Sequence, residues 1–239
     1  MPHAPDSTMD RRPIAMRRLA IVQRFARALA RAGVSPNAIS VFGMVAGLGA
    51  GLCLAATGPV ISAGLGLAPD GSELRTRVLV ASAAVLIAVR LTCNMLDGMV
   101  AVEGGKQSRT GELFNEVPDR VSDTAGLVGA GFATGGSPWL GLLAACGALF
   151  VTYIRALGKG CGKKSDFCGP MAKQERMAIL IATCLFLCLA PAAWRPALPP
   201  MLDAPHPGLM FAALVVIVFG CVVTGWRRLS RLRRLLEAA

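Results

Sequence analysis

The chain has 239 residues, 54% of them hydrophobic but only 5% aromatic, and a formal net charge of +11. Its apolar content is mostly Ala, Leu, Val and Gly, in runs that reach the roughly 20 residues a helix needs to cross a bilayer. Such runs exclude a soluble domain. The basic residues cluster at 11–31, at Lys106 with Arg109, at 155–176 and at 227–234, while the alternate loops carry only Arg75, Arg77 and Arg195. This is the positive-inside pattern of a multi-pass protein with both termini cytoplasmic. It leaves no soluble basic face for nucleic acid, and it suits anionic lipid headgroups.

In chain order, residues 1–15 read as disordered. The stretch 16–32 sets Leu19, Ile21, Val22, Phe25 and Leu29 between arginines, as in an amphipathic helix lying in the membrane interface, and Gly33 ends it. No signal peptide is expected, because this leader lacks an apolar core. Ser35-Pro36-Asn37 then opens the first span with N-cap and early-proline chemistry. The spans are predicted at about 37–57, 77–100, 112–134, 138–157, 175–193 and 208–226. The expected architecture is all-α: a leader with its interfacial helix over 1–33, then one six-span membrane domain over 34–239. The 58–76 and 191–207 loops face outward. Arg227, Arg228, Arg231, Arg233 and Arg234 form a tail suited to snorkelling at the inner leaflet. Small-residue helix faces suggest a homodimer.

Six of the eight cysteines, Cys53, Cys93, Cys146, Cys184, Cys188 and Cys221, lie inside apolar runs and read as small apolar residues. Cys161 and Cys168 share a loop on the cytoplasmic side, where a disulfide is disfavoured and two thiols do not make a zinc site.

Ionisable residues at membrane depth are costly and mark function by default. Asn94 and Asp97, three apart near the end of the second span, share a helix face. On the third span Gly111, Asn115, Asp119 and Asp123 recur every fourth residue, with the glycine leaving space above the polar groups. Two antiparallel helices joined by a short loop are expected to set these stripes face to face. Oxygen donors suit a hard cation such as Mg²⁺, and no matching His or Cys set points to zinc. The plainer alternative is two polar stripes that merely bond the helices together. Arg90 and Asp123, each one turn deeper than the motif, are expected to pair as a floor to the site. Lys173 and Arg176, three apart at the start of the fifth helix, share a face and suit a phosphate, with Arg155 able to join them; snorkelling accounts for them equally well. Asn37 and Ser40 are candidates for nucleotide contact or for capping. Lys159, Lys163 and Lys164 read as topology residues.

The run Asn94-x2-Asp97-Gly98-x2-Ala101-x9-Gly111-x3-Asn115-x3-Asp119 resembles the signature of the CDP-alcohol phosphatidyltransferase family, D-x2-D-G-x2-A-R-x8-G-x3-D-x3-D, with every spacing kept. The Pro36–Ser40 entry to the first span and the six-span layout resemble that family too. The resemblance implies transfer of a phosphatidyl-type group from a CDP-activated lipid, CDP-diacylglycerol in the first instance, to the hydroxyl of a small alcohol, with release of CMP. It implies Mg²⁺ or Mn²⁺ at Asn94, Asp97, Asn115 and Asp119, with Asp119 also the general base. Gly98, Ala101 and Gly111 would line the substrate space, with Asn37, Ser40, Arg155, Lys173 and Arg176 on its polar groups. The setting implied is phospholipid synthesis in the inner (cytoplasmic) membrane. Three positions depart from the signature: Asn94 and Asn115 stand for aspartates, and Val102 for the arginine. Two other readings stay open on the residues alone. One is a catalytically silent relative that binds lipid or nucleotide; the other is a six-span transporter coupled to a cation.

Overall fold

Long apolar runs leave the backbone no partner in lipid but itself, so they fold as helices. The computed structural model describes residues 20–67, 72–105, 110–201 and 204–238, and among these it has eight α-helices and no strand. They are α1 (Ala20–Arg31), α2 (Pro36–Ala55), the short α3 (Pro59–Gly64) and α4 (Glu73–Glu103). The second half adds α5 (Gly111–Phe132), α6 (Pro138–Gly160), α7 (Lys173–Leu189) and α8 (Leu209–Glu237). Three starts follow a Ser whose hydroxyl accepts an orphan N–H: Ser35 from Ala38 at 3.1 Å, Ser72 from Arg75 at 3.2 Å and Ser137 from Leu140 at 3.2 Å. The expected disorder of 1–15, the 16–19 start of the amphipathic helix, and Lys106 with Arg109 lie outside the described residues.

The chain is a multi-pass membrane protein. Helices α2, α4, α6 and α8 are each long and apolar enough to cross a bilayer. All six predicted spans are helical, but α5 carries five charged residues from Glu112 to Asp123 and α7 has only 17 residues, so those two do not meet the same test. Helix α1 has Ile21 and Phe25 exposed on one side, and Val22 and Leu29 against Cys93, Leu96 and Val100 of α4 on the other.

The helices alternate in direction. One end is tied by Thr57 with Thr134, by Gly208 N–H to Gly135 O at 3.0 Å, and by Arg195 to Glu73 at 3.2 Å. The other end gathers the starts of α2, α5 and α7 and the finishes of α4, α6 and α8, and it carries all the predicted site residues. The core between is filled by Leu54, Leu127, Leu180, Met210, Leu214 and Ile217.

The packing corrects one expectation. Helices α4 and α5 touch only lightly, because α2 packs between them against both. Glycines allow this. A Cβ on Gly43 would lie 2.7 Å from Cys93 Cβ, on Gly47 2.3 Å from Ser122 Cβ, and on Gly51 2.3 Å from the Ala125 carbonyl oxygen. Without side chains at these positions the backbones approach closely, the small-residue packing that drives association in lipid. The α4 and α5 stripes therefore meet only at their site ends, past the first turn of α2. The basic tail needs a second correction: Arg228 does not snorkel but is buried, donating to Val151 O at 3.0 Å and Cys168 O at 2.9 Å.

Candidate active site

The polar cluster begins at the last turns of α4. Asn94 Nδ2 donates across to α5, to Asn115 Oδ1 at 2.9 Å and Asp119 Oδ1 at 3.0 Å. Asn115 is exposed, Asn94 half-buried and Asp119 buried, so the group opens toward the helix ends. One turn on, Asp97 is 5% exposed and accepts from Ser40 Oγ at 2.7 Å and from the Gly98 N–H. Both donors are neutral, and Asp97 has no ion pair among the described residues. Gly98, Ala101 and Gly111 are half-buried along this opening. Asn37 is half-buried at the start of α2, while the cap is supplied by Ser35.

Asp119 has the opposite surroundings. Arg90 Nη2 is in direct ionic contact with its Oδ1, Lys173 Nζ lies 2.7 Å from the same oxygen, and Arg120 is 3.6 Å from Oδ2. Arg90 itself is 2% exposed; its Nε donates to Ser122 Oγ at 2.8 Å, and its Nη1 is buried without a partner. The ammonium of Lys173 is buried too, and among the described residues its contact with Asp119 is ionic without an aligned hydrogen bond.

The expected Arg90–Asp123 ion pair is not formed. Arg90 reaches one turn toward the site end, to Asp119, and Asp123 is taken by Arg176 of α7 at 3.3 Å. The reason is reach: an arginine side chain spans about a helical turn, and Ser122 anchors this one beside Pro118, whose carbonyl accepts the Ser122 hydroxyl. Arg176 is a second correction. It shares α7 with Lys173 but is 2% exposed and bound to Asp123 and to Met171 O at 3.0 Å, so it closes the core and presents nothing to a phosphate. Arg155 pairs with Glu116 at 2.7 Å and lies over the Phe167 ring, away from Lys173's contact. Glu116 also meets Arg120, which reaches Thr152 on α6 at 2.5 Å.

Three residues that act here carried no distinct signal. Ser122, Ser40 as a partner of Asp97, and Arg120 look in sequence like a small residue, a cap and a topology charge. Their fourfold spacing from Pro118, Pro36 and Glu116 was the available hint. In the α6–α7 loop, burial and then the Asp166 carboxylate, to which Cys168 Sγ donates at 3.2 Å, push the Cys168 thiol up.

The donor set accommodates a divalent ion, with limits. Among the described residues, Asp97 is a buried carboxylate with no countercharge in contact, and the Asn94 side-chain oxygen accepts no hydrogen bond. All donors are hard oxygens. Yet among the described residues no three His, Cys, Asp or Glu side chains gather as a metal-binding group, and Asp119 already holds protein cations.

No protein-family model matches the chain. A phosphatidylinositol phosphate synthase of Mycobacteroides abscessus is 28% identical over 172 residues, 70% of this chain and 69% of that protein. An archaetidylinositol phosphate synthase of Pyrococcus horikoshii is 27% identical over 167 residues, 69% of this chain and 77% of the relative. Among solved structures, the Mycobacterium tuberculosis phosphatidylinositol phosphate synthase with CDP-DAG bound superposes with a TM-score of 0.65 at 20% identity, over 90% of this chain and 94% of that one. The same enzyme with manganese and citrate gives a TM-score of 0.65 over 88% of each chain.

Proposed function

The chain belongs to the CDP-alcohol phosphatidyltransferase family, and from that premise we propose that it transfers a phosphatidyl group from CDP-diacylglycerol to the hydroxyl of a small alcohol. The observation that carries the reading is the meeting of Asn94, Asp97, Asn115 and Asp119, the four signature positions, at one end of the bundle. The acceptor oxygen attacks the phosphatidyl phosphorus, the bond from that phosphorus to the bridging oxygen breaks, and CMP leaves with the bridging oxygen. Asp119 takes the acceptor proton. The enzyme uses Mg²⁺ or Mn²⁺, which oxygens drawn from Asn94, Asp97, Asn115 and Asp119 would hold and which, when bound, would offset the charge that builds on the leaving phosphate. Ser40 holds Asp97 in place from α2. Gly98, Ala101 and Gly111 leave room for the diphosphate. The acceptor class of the relatives, an inositol phosphate, is the first to try.

Six spans fit this chemistry. Helix α5, with 22 residues, is about 33 Å long, and its charges lie from Glu112 to Asp123, toward the end that carries the site. Helix α7, with 17 residues, is about 25 Å long and is continued by the apolar 190–193 stretch. Trp139 and Trp194 near one end and Trp226 near the other, all exposed, suit the two interfaces. The apolar side of α1, with Ile21 and Phe25, lies in the interface beside α4. The basic clusters support a site and two termini on the cytoplasmic side of the inner membrane. A homodimer would use surfaces other than the α2 glycines, which are spent inside the bundle.

The test is CMP release from CDP-diacylglycerol by the purified protein with Mg²⁺ or Mn²⁺ and a panel of alcohols, against Asp119→Asn. Metal-dependent release with one acceptor, lost in the variant, is expected. Absence of release with every acceptor from folded protein would refute the transfer.

A further inference from the structure

The two aspartates of the site have opposite surroundings, and the difference coincides with the two asparagines. Asp97 is buried with neutral donors only, so it has charge to offer a cation. Asp119 is in contact with Arg90 and Lys173 and is approached by Arg120. Asn94 and Asn115 bring amide oxygens but no charge. Placing two divalent ions here would set four positive charges against two carboxylates, beside two buried side-chain cations. Like charges at such spacing in a poorly screened site repel strongly. One ion on the Asp97 side, counted with Asp97, Asp119, Arg90 and Lys173, leaves two positive charges, which the two negative charges of a bound diphosphate offset; a second ion would leave four.

We infer that this chain holds one divalent ion, on Asp97 with the amide oxygens of Asn94 and Asn115, and that Lys173, backed by Arg90, is the fixed second cation of the site. Two observations besides the acids support this. Among the described residues the Lys173 ammonium, buried and in ionic contact with Asp119 alone, makes no aligned hydrogen bond, and Arg90 Nη1 is buried without a hydrogen-bond partner. A diphosphate entering above Asp97 offers the anionic oxygens these donors lack. When Lys173 turns to it, Asp119 Oδ1 loses one of its cations and is open to the acceptor proton. Lysine suits this role better than arginine, since its ammonium is a point charge on a flexible stem. Arg90, tied by Ser122, stays with Asp119.

The inference rests on the transfer reading, and its test separates the two. Purified protein saturated with CDP-diacylglycerol is titrated with Mn²⁺, and bound ions are counted from the loss of the free-ion electron paramagnetic resonance signal. One ion per chain is expected. The triple variant Asn94→Asp, Asn115→Asp, Lys173→Met should bind two, with spin coupling between them. Two ions on the unaltered chain, or none, would overturn the inference even where the same preparation releases CMP. Failure to release CMP at all would bring down the transfer reading and this inference together. Lys173→Met alone, which adds no carboxylate, should weaken CDP-diacylglycerol binding roughly 10–100-fold in the presence of Mn²⁺. Unchanged binding would overturn the role given to Lys173.

Discussion

Replacing Gly47 with alanine tests whether the glycine-mediated wedge of α2 sets the active-site geometry. An added Cβ would lie 2.3 Å from Ser122 Cβ and 3.1 Å from Ser122 Cα. Nonbonded carbons settle at about 3.5–4.0 Å, so the contact is short by more than 1 Å and the obstacle is close to backbone. Helices α2 and α5 must part, and overpacking of this kind costs about 1–3 kcal/mol. The displaced residue is the one that holds Arg90 Nε, and Arg90 in turn holds Asp119. A misplacement of about 1 Å at reacting groups lowers activity by roughly 10²-fold. The control is Gly49→Ala, on another side of the same helix, whose Cβ would meet only Leu86 Cδ1 at an ordinary 3.4 Å. Thermal unfolding in detergent and CMP release are measured on both. Gly47→Ala should lose stability and most activity while Gly49→Ala keeps both. Equal behaviour of the two variants, or a fully active Gly47→Ala, would refute the reasoning.

Two further outcomes distinguish residues that look alike in sequence. Arg176→Gln strands the buried carboxylate of Asp123, which costs about 3–5 kcal/mol, so this variant should show a large drop in yield and melting temperature. An Arg176→Gln protein of normal stability with only a raised KM would place the residue on substrate instead. In the α6–α7 loop, Cys168 gives its thiol to Asp166 and titrates higher than an ordinary cysteine, whereas Cys161 is exposed. The thiolate of Cys168 is thus scarcer at a given pH until the pH rises well above the usual thiol range. Mass-spectrometric mapping after iodoacetamide at pH 8 should find Cys161 alkylated well before Cys168; the reverse order would contradict the contact.

The elements that could be read from sequence were those governed by local or periodic rules. Helix positions followed from run length, the start of α2 from Ser35-Pro36, and the meeting of Asn94 with Asn115 and Asp119 from three- and four-residue spacing on helices expected to run antiparallel. What failed was partner choice at equal spacing. Arg90, Arg176 and Arg228 have side chains long enough to reach a full turn up or down, so position along the helix does not fix which acid or carbonyl each one finds. The wedge of α2 was written in Gly43-x3-Gly47-x3-Gly51, a small-residue stripe whose partner helix no local rule names. Ser40 was ambiguous between cap and site because both uses need only a hydroxyl near a helix start.

The three acids are arranged by what neutralises them, and this arrangement divides their work. Asp123 is closed in with Arg176, and an acid so paired cannot ligate or accept a proton without stranding a buried guanidinium. Its place is structural, joining α5 to α7 beneath the site. Asp97 has hydrogen bonds but, among the described residues, no countercharge in contact, and a buried carboxylate in that condition gains strongly from a cation arriving from outside. Asp119 stands between them, holding one cation that is anchored by Ser122 and another on a flexible stem. An acid with one removable partner can exchange it for a proton, as the proposed base must; Asp123 cannot do so without stranding Arg176, and on the one-ion reading Asp97 is taken up by the ion. The two asparagines fit the same division, since full carboxylates at those positions would draw Lys173 or a further ion to the mouth of the site and remove the distinction between Asp97 and Asp119.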